Sequence, residues 1–179
     1  MAHDPSDLAQ LAARAVLIMA DGSPTDFEDV FHPEALNRES AAEPPECRAP
    51  GPAGFHASAI WLRRTYADLR WKIHEATASQ DIAAVHTTMS GRQIDTFVVY
   101  DAQGVPEQAF PATGRSFAVT QTHWFRIADG TVREHWANRD DLGLAQQLGW
   151  VPPTPVYLIR MWRATRAARW APVPSAVTG

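Results

Sequence analysis

Residues 122–143 read THWFRIADGTVREHWANRDDLG, which sets His123, Glu134, Asn138 and Asp140 among aromatic and branched apolar side chains. Segments of this character form strands, and a polar side chain on a strand either meets water or lines a pocket. In a pocket these residue types suit acid–base chemistry. An apolar site raises the pKa of a carboxylate toward neutrality and makes it a competent base, and an imidazole can place or move a proton beside it.

The Asp129-Gly130 pair predicts a two-residue type I′ hairpin turn. Its register would set Ile127 opposite Val132, Phe125 opposite Glu134 and His123 opposite Trp136, all on one face. That face is mostly apolar, so it is the inward one, and His123 and Glu134 need a partner or a purpose there. The other face would carry Trp124, Arg126, Arg133 and His135, with Asn138 and Asp140 just past the strand end. A second strand, IAAVHTTMSG, puts His86 on a face with Ile82, Ala84, Thr88 and Ser90, and its alternation leaves open which face is buried.

Each residue also has an ordinary structural reading. His86 and His74 read as satisfied or half-exposed strand histidines, and Asp140 reads as the N-cap of the helix that follows. The seven histidines show no H-x-E, HExxH or clustered ligand spacing, and Cys47 is alone, so no metal site and no disulfide are expected. Neither a G-x-S-x-G elbow nor a glycine-rich phosphate loop is present, which argues against a serine hydrolase and a nucleotide cofactor. A net charge of −4 argues against nucleic acid as partner.

These residues must be positioned by a chain of 179 residues, 45% apolar and 20% charged, a composition that fits one globular domain with tails. The start lacks the pattern of a signal peptide and no apolar run is long enough to cross a membrane, so a cytoplasmic protein without membrane contact is expected. Helical spacing begins at Asp7 behind a Ser6 cap and runs to Asp21-Gly22. A short helix follows Thr25, and a strand is expected near Ala35 to Asn37. Residues 39–52, ESAAEPPECRAPGP, read as a long loop, a feature that is often functional. Pro52 opens a helix expected to reach Arg70. Beyond Trp71 the period changes to two, and five strands precede a short helix in DDLGLAQQLG. Helices followed by sequential strands predict an α+β fold with a mostly antiparallel sheet curved around the helices. The expected division is a domain over 1–150 and, over 151–179, a proline-rich spacer with a basic helical tail. Arg160, Arg163 and Arg166 of that tail share a face that reads as solvated or as a contact for a second subunit or acidic partner.

The ordered pieces PATGRSFAV, HWFRIADGTVREHW and LGLAQQLG resemble the SnoaL-like polyketide cyclase and ester cyclase group of the NTF2-like superfamily, from about Leu8 to Gly149. The resemblance implies a cone-shaped α+β barrel with a deep pocket, a homodimer, and an intramolecular aldol ring closure of a hydrophobic carbonyl compound without metal or cofactor. It also implies a late aspartate as base, which the W-x-x-x-D spacing places at Asp140, with Asp141 the neighbouring contender. His123 would hydrogen-bond the developing enolate oxygen, and Glu134 and Trp136 would line or brace the cavity. Gln93 stands where many relatives have a histidine, and it could position substrate but not shuttle a proton. Phe125, Trp136 and Trp124 are the candidate walls, with His86 and Asn138 as further contacts. Alternatives are hydrolysis of an epoxide or lactone in the same pocket, related isomerisation, or plain binding of a hydrophobic ligand.

Overall fold

The computed structural model describes residues 4–171. Helix α1 (Pro5–Asp21) is capped by Asp4, whose side chain accepts the Ser6 N–H, so the helix starts earlier than a Ser6 cap would allow. Helix α2 (Pro24–Val30) starts from a capping box between Ser23 and Asp26. The chain then enters β1 (Phe31–Asn37) and passes through two 3₁₀ turns, Arg38–Ala42 and Pro45–Arg48. The expected loop is therefore ordered structure.

Helix α3 (Pro52–Thr65) ends five residues before the expected Arg70, because the chain turns into β2 (Tyr66–Ser79) at Tyr66. Tyr66 and Leu69 look helical in spacing, yet Tyr66 pairs with Gln93 across the sheet and Asp68 takes a positive φ of 56° at an irregularity in that pairing. Strands β3 (Ile82–Gln93), β6 (Ser116–Ala128) and β7 (Thr131–Arg139) complete the main sheet. Its order is β1-β7-β6-β3-β2, with β1 parallel to β7 and the remaining pairs antiparallel. Strands β4 (Phe97–Tyr100) and β5 (Pro106–Phe110) form a separate hairpin.

The sheet is curved and unclosed, and α1 and α3 pack into its concave side. Ala12, Ala15 and Val16 of α1 and Phe55 and Ala59 of α3 meet Ala83, Val85, Met89, Phe125 and Ile127 of the sheet, all buried. Helix α4 (Asp141–Leu148) closes one end. After it, α5 (Pro155–Trp170) lies against β5, where the Thr165 hydroxyl accepts the Ala109 N–H at 2.9 Å and the Tyr157 hydroxyl donates to the Pro111 carbonyl at 3.0 Å. Arg160 and Arg169 of the basic tail donate to backbone carbonyls of Ala112 and Pro106, so that face is partly used inside the molecule. No described helix is long and apolar enough to cross a membrane.

Candidate active site

The helices and the curved sheet enclose a cavity of about 390 Å³, within the range of small-molecule sites. Most of its wall is apolar, with Phe31, Phe55, Trp71, Met89, Phe97 and Trp150 prominent. Its polar groups are Asn37, Glu39, Glu43, Ser58, Tyr66, Gln121, His123, His135, Arg139 and Asp141.

The hairpin turn forms as expected: Asp129 and Gly130 both take positive φ, at 52° and 75°. Ile127 faces Val132, but the register then slips, and Arg126 faces Glu134, Phe125 faces His135, Trp124 faces Trp136 and His123 faces Ala137. One additional residue on β7, at Arg133, makes this a β-bulge. Because strand side chains alternate, a slip of one residue exchanges the faces of everything beyond it.

His135, Ala137 and Arg139 therefore sit on the cavity side, and Glu134, Trp136 and Asn138 on the outside. Glu134 pairs with Arg38 and, at 3.6 Å, with Arg126. Trp136 stacks on Trp124 with ring centroids 6.5 Å apart, and the Trp124 indole N–H donates to Asn138 Oδ1 at 3.1 Å. The expected cavity contacts of Glu134, Trp136, Trp124 and Asn138 are thus corrected by the bulge and the alternation. His86 is also outside, exposed, with Nδ1 3.1 Å from the Thr122 hydroxyl. The buried face of β3 is Ala83, Val85, Thr87 and Met89.

Gln93 is fully buried but does not line the cavity. Its amide N–H₂ donates to the carbonyls of Asp95 and Phe110, and its Oε1 accepts from Thr113 and from the Trp150 indole. A side chain so fully engaged braces the fold and has nothing left for substrate. Asp140 is exposed and off the cavity wall, and its Oδ1 accepts the Gly143 N–H at 2.8 Å as the N-cap of α4. A Cβ at Gly143 would stand 2.1 Å from that carboxylate, which explains the D-x-x-G spacing as a cap requirement. Asp141, the neighbouring contender, lines the cavity and pairs with Arg139 at 3.4 Å. An Asp140→Ala variant should lose about 1 kcal/mol of stability, the usual cost of an N-cap. Urea titration would show this, while affinity for a cavity ligand should stay at the wild-type value.

Of the expected residues, the structure brings His123, Phe125 and the contender Asp141 to the cavity. His123 belongs to a continuous polar chain. Its Nε2 lies 3.0 Å from Gln121 Oε1, which also takes the Trp71 indole N–H at 3.1 Å. Its Nδ1 lies 3.0 Å from His135 Nε2, and His135 Nδ1 lies 3.0 Å from Asn37 Oδ1. Both ends of the chain are oxygen acceptors, so an additional proton on the two rings would gain about 1.5 to 3 kcal/mol of charged hydrogen bonding. Burying an unpaired cation costs several kcal/mol, which is more. The facing charge, Arg139, is also positive. Burial and Arg139 hold His123 down to about 4, and burial, His123 and Arg139 hold His135 well below its ordinary value. The pair is neutral at neutral pH, with all four ring nitrogens engaged in the chain. A substrate oxygen therefore receives a hydrogen bond from it by taking the place of Gln121 or Asn37.

The carboxylates come from elements the sequence left as loop. Glu39 accepts the Ala137 N–H at 3.0 Å and pairs with Arg139 at 3.4 Å. Glu43 is buried beside Ser58 and Cys47. Tyr66, 2% exposed, has no partner for its hydroxyl among the described residues. Among the described residues no cluster of His, Cys, Asp or Glu has the geometry to hold a metal ion.

Helices packed into a curved, unclosed sheet over a mostly apolar cavity define the class of small α+β proteins with a ligand pocket between helices and sheet. Within that class the chain belongs to the SnoaL-like polyketide cyclase family, whose model matches residues 8–148. It is 31% identical over 147 residues to the aklanonic acid methyl ester cyclase DnrD of Streptomyces peucetius, covering 81% of this chain and 92% of that one. The nogalonic acid methyl ester cyclase of Streptomyces nogalater is 25% identical over 130 residues, covering 72% and 87%. Among solved structures, TsrD from Streptomyces laurentii matches with a TM-score of 0.65 and 29% identity, over 82% of this chain and 98% of that one. A SnoaL-like protein from Jannaschia matches at 0.63 with 18% identity, over 83% and 95%, and bears on the fold alone.

Proposed function

We propose that the chain is a cofactor-independent cyclase that closes a ring in a hydrophobic, carbonyl-bearing molecule by intramolecular aldol addition. The observation that carries this reading is the buried, neutral His123–His135 pair on the wall of an otherwise apolar cavity. A neutral imidazole in such a site supplies a hydrogen bond where an enolate or alkoxide oxygen gains charge, without adding a fixed cation. Gln121 and Asn37 hold the two rings in place, and the free Tyr66 hydroxyl is available to a second substrate oxygen. The family and the two ester-cyclase relatives support the reaction class. The homodimer implied by the resemblance in sequence and the cytoplasmic setting expected from the composition remain part of the proposal.

Aklanonic acid methyl ester, named for the relatives, is the first compound to test. A product of unchanged mass, with no oxygen taken from isotope-labelled water, is expected of ring closure. A gain of one water would convert the reading to hydrolysis, and tight binding without turnover would convert it to ligand carriage. A His123→Gln variant should lose about 10²-fold or more in kcat, the scale of one lost oxyanion contact.

A further inference from the structure

We infer that Glu43 is the group that takes the proton from carbon in this cavity. The inference rests on the cyclase reading for its reaction and on the cavity geometry for its residue.

Glu43 lies between the two 3₁₀ turns, is 7% exposed, and is on the cavity wall with Ala42 and Ser58. Its backbone is fixed: Arg48 donates to the Glu43 carbonyl at 3.2 and 3.0 Å, and the same guanidinium reaches the carbonyls of Asp101 and Ala102 at 2.7 and 3.1 Å. A carboxyl on an otherwise irregular segment is thereby held between α3 and the end of β4. Its Oε2 accepts the Ser58 hydroxyl, and Cys47 is buried nearby.

Among the described residues no cation pairs with it. Arg139 of β7 is the positive charge that faces it, but its guanidinium is spent on Glu39 and Asp141. Glu39 on the first 3₁₀ turn is the facing negative charge. Burial pushes the Glu43 carboxyl up, and the same burial with the Glu43 charge pushes Cys47 up to about 12, so the thiol remains neutral. The other carboxylates on the wall are differently placed: Glu39 and Asp141 are ion-paired, and Asp140 caps a helix outside. Opposite His123, where a carboxylate would be best aimed, the sheet offers Ala137.

The step balances without a co-reactant. The Glu43 carboxylate accepts the proton of a C–H next to a carbonyl, and that bond's electron pair becomes the enolate. The enolate carbon bonds to a second carbonyl carbon, whose π pair moves to its oxygen. That alkoxide takes the proton back from the Glu43 carboxyl, and the carboxylate is restored. The His123–His135 pair hydrogen-bonds the oxygen on which charge gathers.

The test uses 2-tetralone, a small hydrophobic carbon acid, and follows exchange of its α-protons with D₂O by NMR. Full-length wild-type protein should accelerate exchange, and Glu43→Gln, which keeps the hydrogen bond from Ser58, should lose about 10²- to 10⁴-fold, the scale of general base catalysis. Its residual rate should also lose the dependence on pH that the wild type shows at the acid end. Glu43→Asp should recover part of the rate. Ser58→Ala should keep the rate within about tenfold, since the hydroxyl only orients the carboxyl. If Glu43→Gln exchanges at the wild-type rate, or if the wild type does not exceed buffer, Glu43 is not the base. Exchange that depends on Glu43, without conversion of aklanonic acid methyl ester, would retain Glu43 and overturn only the substrate reading.

Discussion

Between pH 7 and pH 4 the stability difference between wild-type protein and a His123→Gln variant should shift by about 3 kcal/mol, against the wild type. In the folded state His123 binds a proton only near 4, whereas an unfolded histidine binds one near 6.5, and that gap is worth about 3 kcal/mol. A depressed histidine pKa costs nothing above about 6.5. The loss grows as pH falls through the window toward 4, where the unfolded chain takes a proton that the fold refuses. His135 is lowered in the same direction and adds to the loss. Glu43, raised by burial, acts oppositely and gains stability as pH falls through its own folded value. The informative quantity is therefore the difference between the two proteins in urea titrations across the range. A difference independent of pH would mean that His123 is not held neutral by its surroundings.

Replacement of Gln93 by leucine should cost about 3 to 5 kcal/mol and lower the melting temperature by about 10 °C, read by calorimetry. The side chain ties the end of β3 to Asp95, Phe110, Thr113 and Trp150 through bonds of 3.0 to 3.2 Å. Leucine has nearly the right volume but deprives three donors, the Thr113 N–H and hydroxyl and the Trp150 indole, and two acceptors, the Asp95 and Phe110 carbonyls, of their partner. Because Gln93 is not on the cavity wall, ligand affinity measured well below the melting temperature should be preserved. A large loss of affinity without loss of stability would return Gln93 to the binding site.

The order of elements was legible in the sequence because periodicity and caps are local signals. Asp129-Gly130 and Asp140 three residues before Gly143 each carry their own stereochemistry. The inward placement of His123 and Phe125 followed from alternation alone. What escaped was non-local. The bulge at Arg133 leaves no mark in composition, yet it decides that His135 rather than Glu134 meets the cavity. The end of α3 was missed because Tyr66 and Leu69 satisfy a helical spacing while tertiary pairing with β3 wins. Glu39 and Glu43 lie in a segment whose prolines argue against regular structure, and only Arg48 and Ser58 turn it into a fixed wall. Gln93 looked like a site residue only because it stands where many relatives have a histidine, and its role emerges from its partners.

The bulge at Arg133 also makes the chemistry of this pocket separable from its architecture. Loss of the bulge without loss of a residue would run β7 in unbroken alternation from Val132 and trade His135, Ala137 and Arg139 for Glu134, Trp136 and Asn138 along the wall. Deletion of Arg133 would instead keep the present faces. A change confined to the bulge thus replaces a histidine-bearing surface with an acidic and aromatic one at one stroke. Within a scaffold of this kind, catalytic diversity can arise by changes in reading frame along a strand as readily as by substitution.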